Sequence, residues 1–383
     1  MVVCMAISEM AVGMPGAGSL HTWSSRMLGP SYGTVAGLCE IGMNIIFLGS
    51  VSIAAGAISN YFFQWTKSPQ VSAIIWAVLL LTIVCGIALK GGEVTGKAQL
   101  ILVIILAGIM LLFSVLGLIS GKINLANYKP FAPFGIEGIW VAMGMGVYAY
   151  MGPLALLTAG DEVKNIIDLP KAMFWAFITV LILYGSAMAV MLGIVKYTEY
   201  GALESPFTVA ATIVFGGVAG LIMNIAAWIA AVTCLIGEIF GASRLIFGMA
   251  KDGVLPEAFT KISKKSQVPW FGIVFCYLIA LAIIVVGNIK VLESFYLELC
   301  MAGCVLGTVC FFLSVISSYR YKILFNDEWK ALPWHLPARE ITIPIAVIGC
   351  FVTLYSIFSS DKLSFAYAGV IIILMIIFYN VYS

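Results

Sequence analysis

Eleven apolar stretches, all but the first about the length that crosses a bilayer, constrain this chain more than any other feature. They run over about residues 1–14, 33–63, 70–90, 98–120, 136–160, 170–195, 215–247, 270–288, 292–319, 342–359 and 363–381. A hydrocarbon core of about 30 Å needs roughly 20 apolar residues per helix, and peptide groups inside it must be satisfied without water. The chain is thereby committed to a bundle of spanning helices in a lipid bilayer. Only 10% of its 383 residues are charged, against roughly 25% in a soluble domain. The longest polar stretches, 250–269 and 320–341, are too short to fold as a soluble domain. The expected fold class is an all-α polytopic membrane protein.

Other classes are argued against by what the chain carries. A net charge of +2 offers no basic face for a nucleic acid. The nine cysteines lie almost wholly inside apolar stretches, form no CxxC pair, and accompany only two histidines, His21 and His335. They read as small apolar fillers, so no metal, cofactor or disulfide framework is expected. The sequence contains no HExxH, no GxSxG and no acidic pair at metal-ligand spacing, which argues against an enzyme.

Basic residues sort the loops by side. With the loop after the first stretch placed in the cytoplasm, fourteen of the 20 lysines and arginines fall on that side. Lys67, Lys122, Lys129, Lys196, Lys290 and Lys362 fall outside. Met1–Met14 is too short to span and lacks the basic flank of a signal peptide. A complete version is expected to carry one more span before it.

The fifth stretch conflicts with a continuous span. In GVYAYMGPLALLTAGDEVKN, residues 146–165, Gly152-Pro153 lies well inside the apolar run. Proline removes a backbone donor and its ring collides with the carbonyl four residues back. In hydrocarbon such a break persists only where protein, ligand or water takes up the freed peptide groups. It is expected about nine residues, roughly 14 Å, from the charges at Asp161, close to mid-membrane. A packed proline kink explains the same residues, so binding and packing both stay open at this point.

Four stretches, in order and spread over most of the chain, resemble one family, the amino acid–polyamine–organocation permeases. ISEMAVGMPGAGSLHTWSSRMLGP (7–30) is similar to the segment following that family's first helix, AELASxxPxAGGxYxWxxRxLGP. ALKGGEVTGKAQ (88–99) sits where the family has a Gly-rich cytoplasmic link. YAYMGPLALLTAGDEVKN (148–165), with LPKA after it, resembles the broken sixth helix, and GASRLIFGMAKDGVLPEAFTKI (241–262) the end of the eighth. The resemblance implies an inverted five-helix-repeat fold of the leucine-transporter type, with about 11 of an expected 12 helices present. The first helix of each repeat is unwound at the midplane, where half-helix ends and free peptide groups bind substrate. Residues 1–120 would be the remainder of the first repeat, 136–319 the second, and 342–381 two accessory helices of a single permease domain. Met1–Met14 aligns with the second helix, so only the half of the site in the second repeat is expected here.

The resemblance also assigns residues. Tyr148, Ala149, Tyr150, Met151 and Gly152 resemble the family's FxAYxG, and with Pro153 they form the expected substrate-binding turn. Its carbonyls would meet an ammonium group, with Tyr148 as an aromatic cover. The family's Phe and Glu after the Gly are Pro153 and Leu154 here, which argues against an arginine or polyamine substrate. Asp161, Glu162 and Lys164 are read as a cytoplasmic gate; a solvated helix end explains them equally well. Intramembrane carboxylates are costly and functional by default. Glu40, with Asn44 one turn on, Glu238 and Glu298 are candidates for substrate binding or proton coupling, and each is equally able to bond a neighbouring helix. Thr233 falls near where a hydroxyl lines a sodium site in the family. Glu9 matches the family's own second-helix Glu, read as structural or coupling. The lysine that some proton-coupled members carry in their fifth helix is Leu106 here, so H+, Na+ and exchange all remain open. His21 and Trp23 read as interface anchors, and the glycine pairs Gly216/Gly220 and Gly237/Gly241 as close helix packing.

The expected function is a secondary active transporter moving an amino acid or related small amine across the cell membrane by alternating access. Two alternatives stand beside it. One is an ethanolamine-type amine permease, because AGLCE around Glu40 resembles that branch of the family. The other is a truncated, non-transporting or sensor-like member.

Overall fold

The computed structural model describes residues 1–152, 156–158, 160, 163–200, 206–287 and 292–382. In chain order the long helices are α1 (Val2–Gly13), α2 (Ser19–Leu28), α3 (Pro30–Ser59), α4 (Pro69–Ala88), α5 (Gly92–Ile119) and α6 (Gly135–Gly146). They continue with α7 (Asp168–Ile194), α8 (Pro206–Phe215), α9 (Gly217–Lys251), α10 (Trp270–Gly287), α11 (Leu292–Leu324), α12 (Arg339–Ser360) and α13 (Lys362–Tyr382). Among the described residues, nine of these are long and apolar enough to cross a membrane. All eleven apolar stretches contain a helix. Two of these long helices arise outside them: α2, whose sequence SLHTWSSRML is too polar to read as a span, and α8 (Pro206–Phe215).

Burial sorts the bundle into centre and rim. In their most apolar windows α3 is 78% and α11 72% buried, against 17% for α5 and 11% for α13. Lipid is as apolar as leucine, so helices associate here by close packing and interhelical bonds rather than by escape from water. The α3–α11 contact shows how. A Cβ added to Gly307 would lie 2.5 Å from the Met43 sulfur and 3.0 Å from that of Met151, so only glycine admits both. The small side chains Cys310 and Cys300 continue the seam, Cys310 Sγ donating to the Ala36 carbonyl (3.3 Å) and Cys300 Sγ meeting Ser50 Oγ at 3.5 Å.

One polar cluster ties the chain's two ends together. Glu9 of α1 is fully buried. Its Oε2 accepts from Arg339 Nε at the start of α12 (3.0 Å) and from Ser318 Oγ of α11 (3.4 Å). Its Oε1 accepts from Trp329 Nε1 (3.0 Å) and the Leu336 N–H (3.1 Å). Arg339 in turn donates to the Ser318 carbonyl. This is a paired and bonded carboxylate that joins α1, α11 and α12.

Removing one partner of a buried ion pair strands the other charge and costs about 3–5 kcal/mol. Arg339→Met should therefore lower the denaturation midpoint of the purified protein strongly. Lys322→Met, which breaks the exposed Lys322–Glu340 pair (2.8 Å), should leave it unchanged. Equal midpoints for the two variants would show that the Glu9 cluster holds nothing together.

Candidate functional site

The helical break begins earlier than Gly152-Pro153. α6 ends at Gly146, a single 3-10 turn covers Val147–Tyr150, and Met151 N–H bonds back to the Tyr148 carbonyl at 3.3 Å. The reason is local chemistry. A proline at 153 cannot donate to the carbonyl of Ala149, and Gly144 and Gly146 weaken the helix just before it, so the ladder tightens to i→i−3 before it stops. Pro153 itself lies outside the described residues.

Four helices hold this turn. The Tyr148 ring meets Phe47 of α3 edge-on at 4.9 Å, and its hydroxyl lies 3.9 Å from Cys234 Sγ of α9. Tyr150 stacks flat on Phe177 of α7 at 5.7 Å. Met151 is buried against Gly307 of α11. Ala149 is exposed, and Gly152 is exposed with nothing within 4 Å of the place a Cβ would occupy. A cavity of about 340 Å³ opens beside the turn, between α1, α7, α11 and α12. Cys4, Tyr150, Met151, Phe177, Thr308 and Phe311 form much of its wall, which is mostly apolar.

The predicted carboxylates separate. Glu40 is fully buried and neither of its carboxylate oxygens has a hydrogen-bond partner. Asn44, one turn toward the break, is 1% exposed with its Nδ2 unpartnered. Glu238 of α9 is within electrostatic range of Glu40. Its Oε1 accepts from Cys234 Sγ at 3.8 Å, while its Oε2 has no partner. Glu238, Cys234 and Tyr148 thus form one line ending at the broken turn. Thr233 is buried beside them, and its hydroxyl donates to the Ala230 carbonyl of its own helix at 2.9 Å. Glu298 does not join the cluster: it lies on α11 beyond Cys300, and its carbonyl accepts from Ser364 of α13. Cys234 was legible as the residue one turn before Glu238 on the same helix face.

On the side that the basic residues mark as cytoplasmic, the link between α1 and α2 is clamped. A Cβ at Gly248 of α9 would fall 2.5 Å from the Gly18 nitrogen, and one at Gly160 3.1 Å from that of Gly16. Asp252, just past α9, accepts from Thr22 Oγ1 (3.2 Å) and lies 3.5 Å from His21 Nε2. His21 and Trp23 are buried under the bundle rather than anchored at the interface. Trp23 Nε1 donates to the Met14 carbonyl at 2.7 Å, capping α1. The reading as anchors fails because α2 folds back beneath α3 instead of lying free. Of the expected gate, Lys164 is exposed, and Asp161 and Glu162 lie outside the described residues.

The family model described as amino acid permease matches residues 1–383. The chain is similar to the branched-chain amino acid permease BcaP of Lactococcus lactis, 25% identical over 409 residues, which cover all of this chain and 84% of that one. It is 25% identical over 356 residues to the lysine-specific permease LysP of the same organism, covering 86% and 68% respectively. It is 24% identical over 394 residues to the probable threonine/serine transporter YbxG of Bacillus subtilis, covering all of this chain and 84% of the relative.

Burial lowers the His21 imidazole from its ordinary 6.5; the Gly33 backbone and the Asp252 carboxylate oppose this without offsetting it. The unfolded chain then binds a proton that the folded one refuses, so stability is level above pH 6.5 and falls as pH drops from there toward the lowered value. Thermal melts of wild type and His21→Gln across that interval should show the smaller acid-induced loss in the variant. Parallel curves would mean that His21 does not sense pH.

Proposed function

Since the chain belongs to the amino acid permease family, we propose that it carries amino acids with apolar side chains, bound at the broken turn after α6. It is a multi-pass amino acid transporter of the cell membrane. The observation that carries this reading is the apolar cavity of about 340 Å³ against Tyr150 and Met151. That volume falls within the usual range for small-ligand sites, roughly 300–1,000 Å³. The cavity wall offers aromatic, aliphatic and sulfur contacts, and its polar side chains carry hydroxyls only, those of Tyr150, Thr308 and Thr353. A branched aliphatic side chain suits such a wall, in keeping with the name of the relative BcaP. A lysine side chain does not, because its ammonium would enter an apolar cavity without a carboxylate at its wall.

Peptide carbonyls of Tyr148–Gly152 take the substrate's ammonium group, and Tyr148 covers it. The repeats are read as residues 1–120 and 136–319, with 342–381 accessory, and transport proceeds by alternating access between them. The clamp of Gly16 and Gly18 against Gly160 and Gly248, together with Asp161, Glu162 and Lys164, is read as the cytoplasmic gate. This packing supports a state in which that side is shut.

Reconstituted full-length protein should exchange radiolabelled leucine for internal leucine. Isoleucine and valine should compete; lysine, and ethanolamine, which lacks a carboxylate, should not. Met151→Trp places a larger side chain against the cavity and should weaken leucine exchange at least tenfold, the equivalent of about 1.4 kcal/mol of lost contact. Competition by ethanolamine alone would overturn the amino acid site. Unchanged exchange in Met151→Trp would move the site away from this cavity.

A further inference from the structure

We propose that Glu40 and Glu238, with Asn44 beside them, form a proton-binding site on the cytoplasmic side of the broken turn, and that the transported amino acid is accompanied by a proton bound there. This rests on the transport reading above and adds the coupling ion to it.

The placement comes from the packing of α3 and α9. Trp228 Nε1 donates to Ser59 Oγ at 3.1 Å, and Met249 lies against Gly37, so the two helices run antiparallel along their whole contact. Phe47 and Cys234 both touch Tyr148. Glu238 follows Cys234 by one turn toward the Met249 end. Asn44 and Glu40 precede Phe47 by one and two turns toward the same end. The three polar side chains therefore occupy neighbouring levels of one seam, directly below the turn.

All three are at least nine-tenths buried. Both oxygens of Glu40, one of Glu238 and the amide nitrogen of Asn44 lack a partner. Among the described residues the groups near them are thiols. Cys310 lies within electrostatic range of Glu40, and Cys234 and Cys304 within range of Glu238. The nearest fixed positive charge on α9, Arg244, holds its guanidinium 3.2 Å over the Phe240 ring. Among the described residues neither carboxyl has a salt-bridge partner. Contrast Glu9, equally buried, which has an arginine and three further donors.

Two buried carboxylates within electrostatic range and without a cation at either cannot both keep their charge; protonation of one is the least costly remedy. The site holds that proton while the bundle is closed. When the cytoplasmic side opens and water enters, the O–H bond breaks, its electron pair stays on the carboxylate, and the proton passes to water. The line from Glu238 through Cys234 to the Tyr148 hydroxyl links the proton's presence to the cover of the substrate turn.

The test uses full-length protein in proteoliposomes with an acid-outside pH gradient. Wild type should accumulate leucine above its equilibrium level. Glu40→Gln and Glu238→Gln should keep leucine counterflow yet accumulate no more than the equilibrium level. Gradient-driven accumulation equal to wild type in both variants would overturn the proposal. So would loss of leucine binding in both variants in place of loss of coupling, since that marks an ammonium site. A second readout needs no transport: the infrared carbonyl stretch of a buried protonated carboxyl, measured on purified protein. That band should be present in wild type, diminished in each Gln variant, and shifted in Glu40→Asp and Glu238→Asp. An unchanged band in all of them would contradict the proton site even if counterflow failed. Absence of counterflow in wild type with the band behaving as expected would sink the transport reading and the coupling with it, and would leave the proton site alone standing.

Discussion

A carboxylate inside a bilayer must be paired, bonded or protonated, and the bundle uses these options in different places. At Glu9 an arginine, an indole, a hydroxyl and a backbone N–H converge, and the result is a rigid joint between α1, α11 and α12. At Glu40, as deeply buried, no donor reaches either oxygen, and at Glu238 only the Cys234 thiol does. Burial without partners is costly, and these groups lie beside the broken span.

Geometry at the break follows from two kinds of residue. Proline and glycine end the α-helical ladder, and aromatic or sulfur side chains then fix the loosened turn against its neighbours. Tyr148 on Phe47, Tyr150 on Phe177 and Met151 on Gly307 connect the turn to α3, α7 and α11 at once. A shift of any of these helices is felt at the turn. The same logic of close approach closes the other side, where Gly248 lets α9 lie against the backbone at Gly18.

Much of this was legible in the amino-acid sequence, because hydropathy dictates where a chain crosses a bilayer and each apolar stretch became a helix. The break was legible too, from proline chemistry, but its start at Gly146 depends on where the turn finds partners. Long-range pairing was not legible. Nothing local in REITIP marks Arg339 as the partner of Glu9, 330 positions earlier, since contacts between helices depend on tertiary packing. α2 misled for a related reason: its polar composition reads as a surface segment, yet His21 and Trp23 are buried once it folds under α3. Glu40 and Glu238 were each conspicuous singly, while their common seam needed the antiparallel register of α3 and α9.

The central claim is that the turn after α6 exposes backbone groups that a substrate takes up. Amide hydrogen exchange over residues 146–152, measured with and without leucine, tests it most directly. The account predicts fast exchange in the free protein and marked protection with leucine bound, while α3 stays protected throughout. Slow exchange in the free protein that leucine leaves unchanged would mean the turn is ordinary packed backbone, and the site would have to be sought elsewhere.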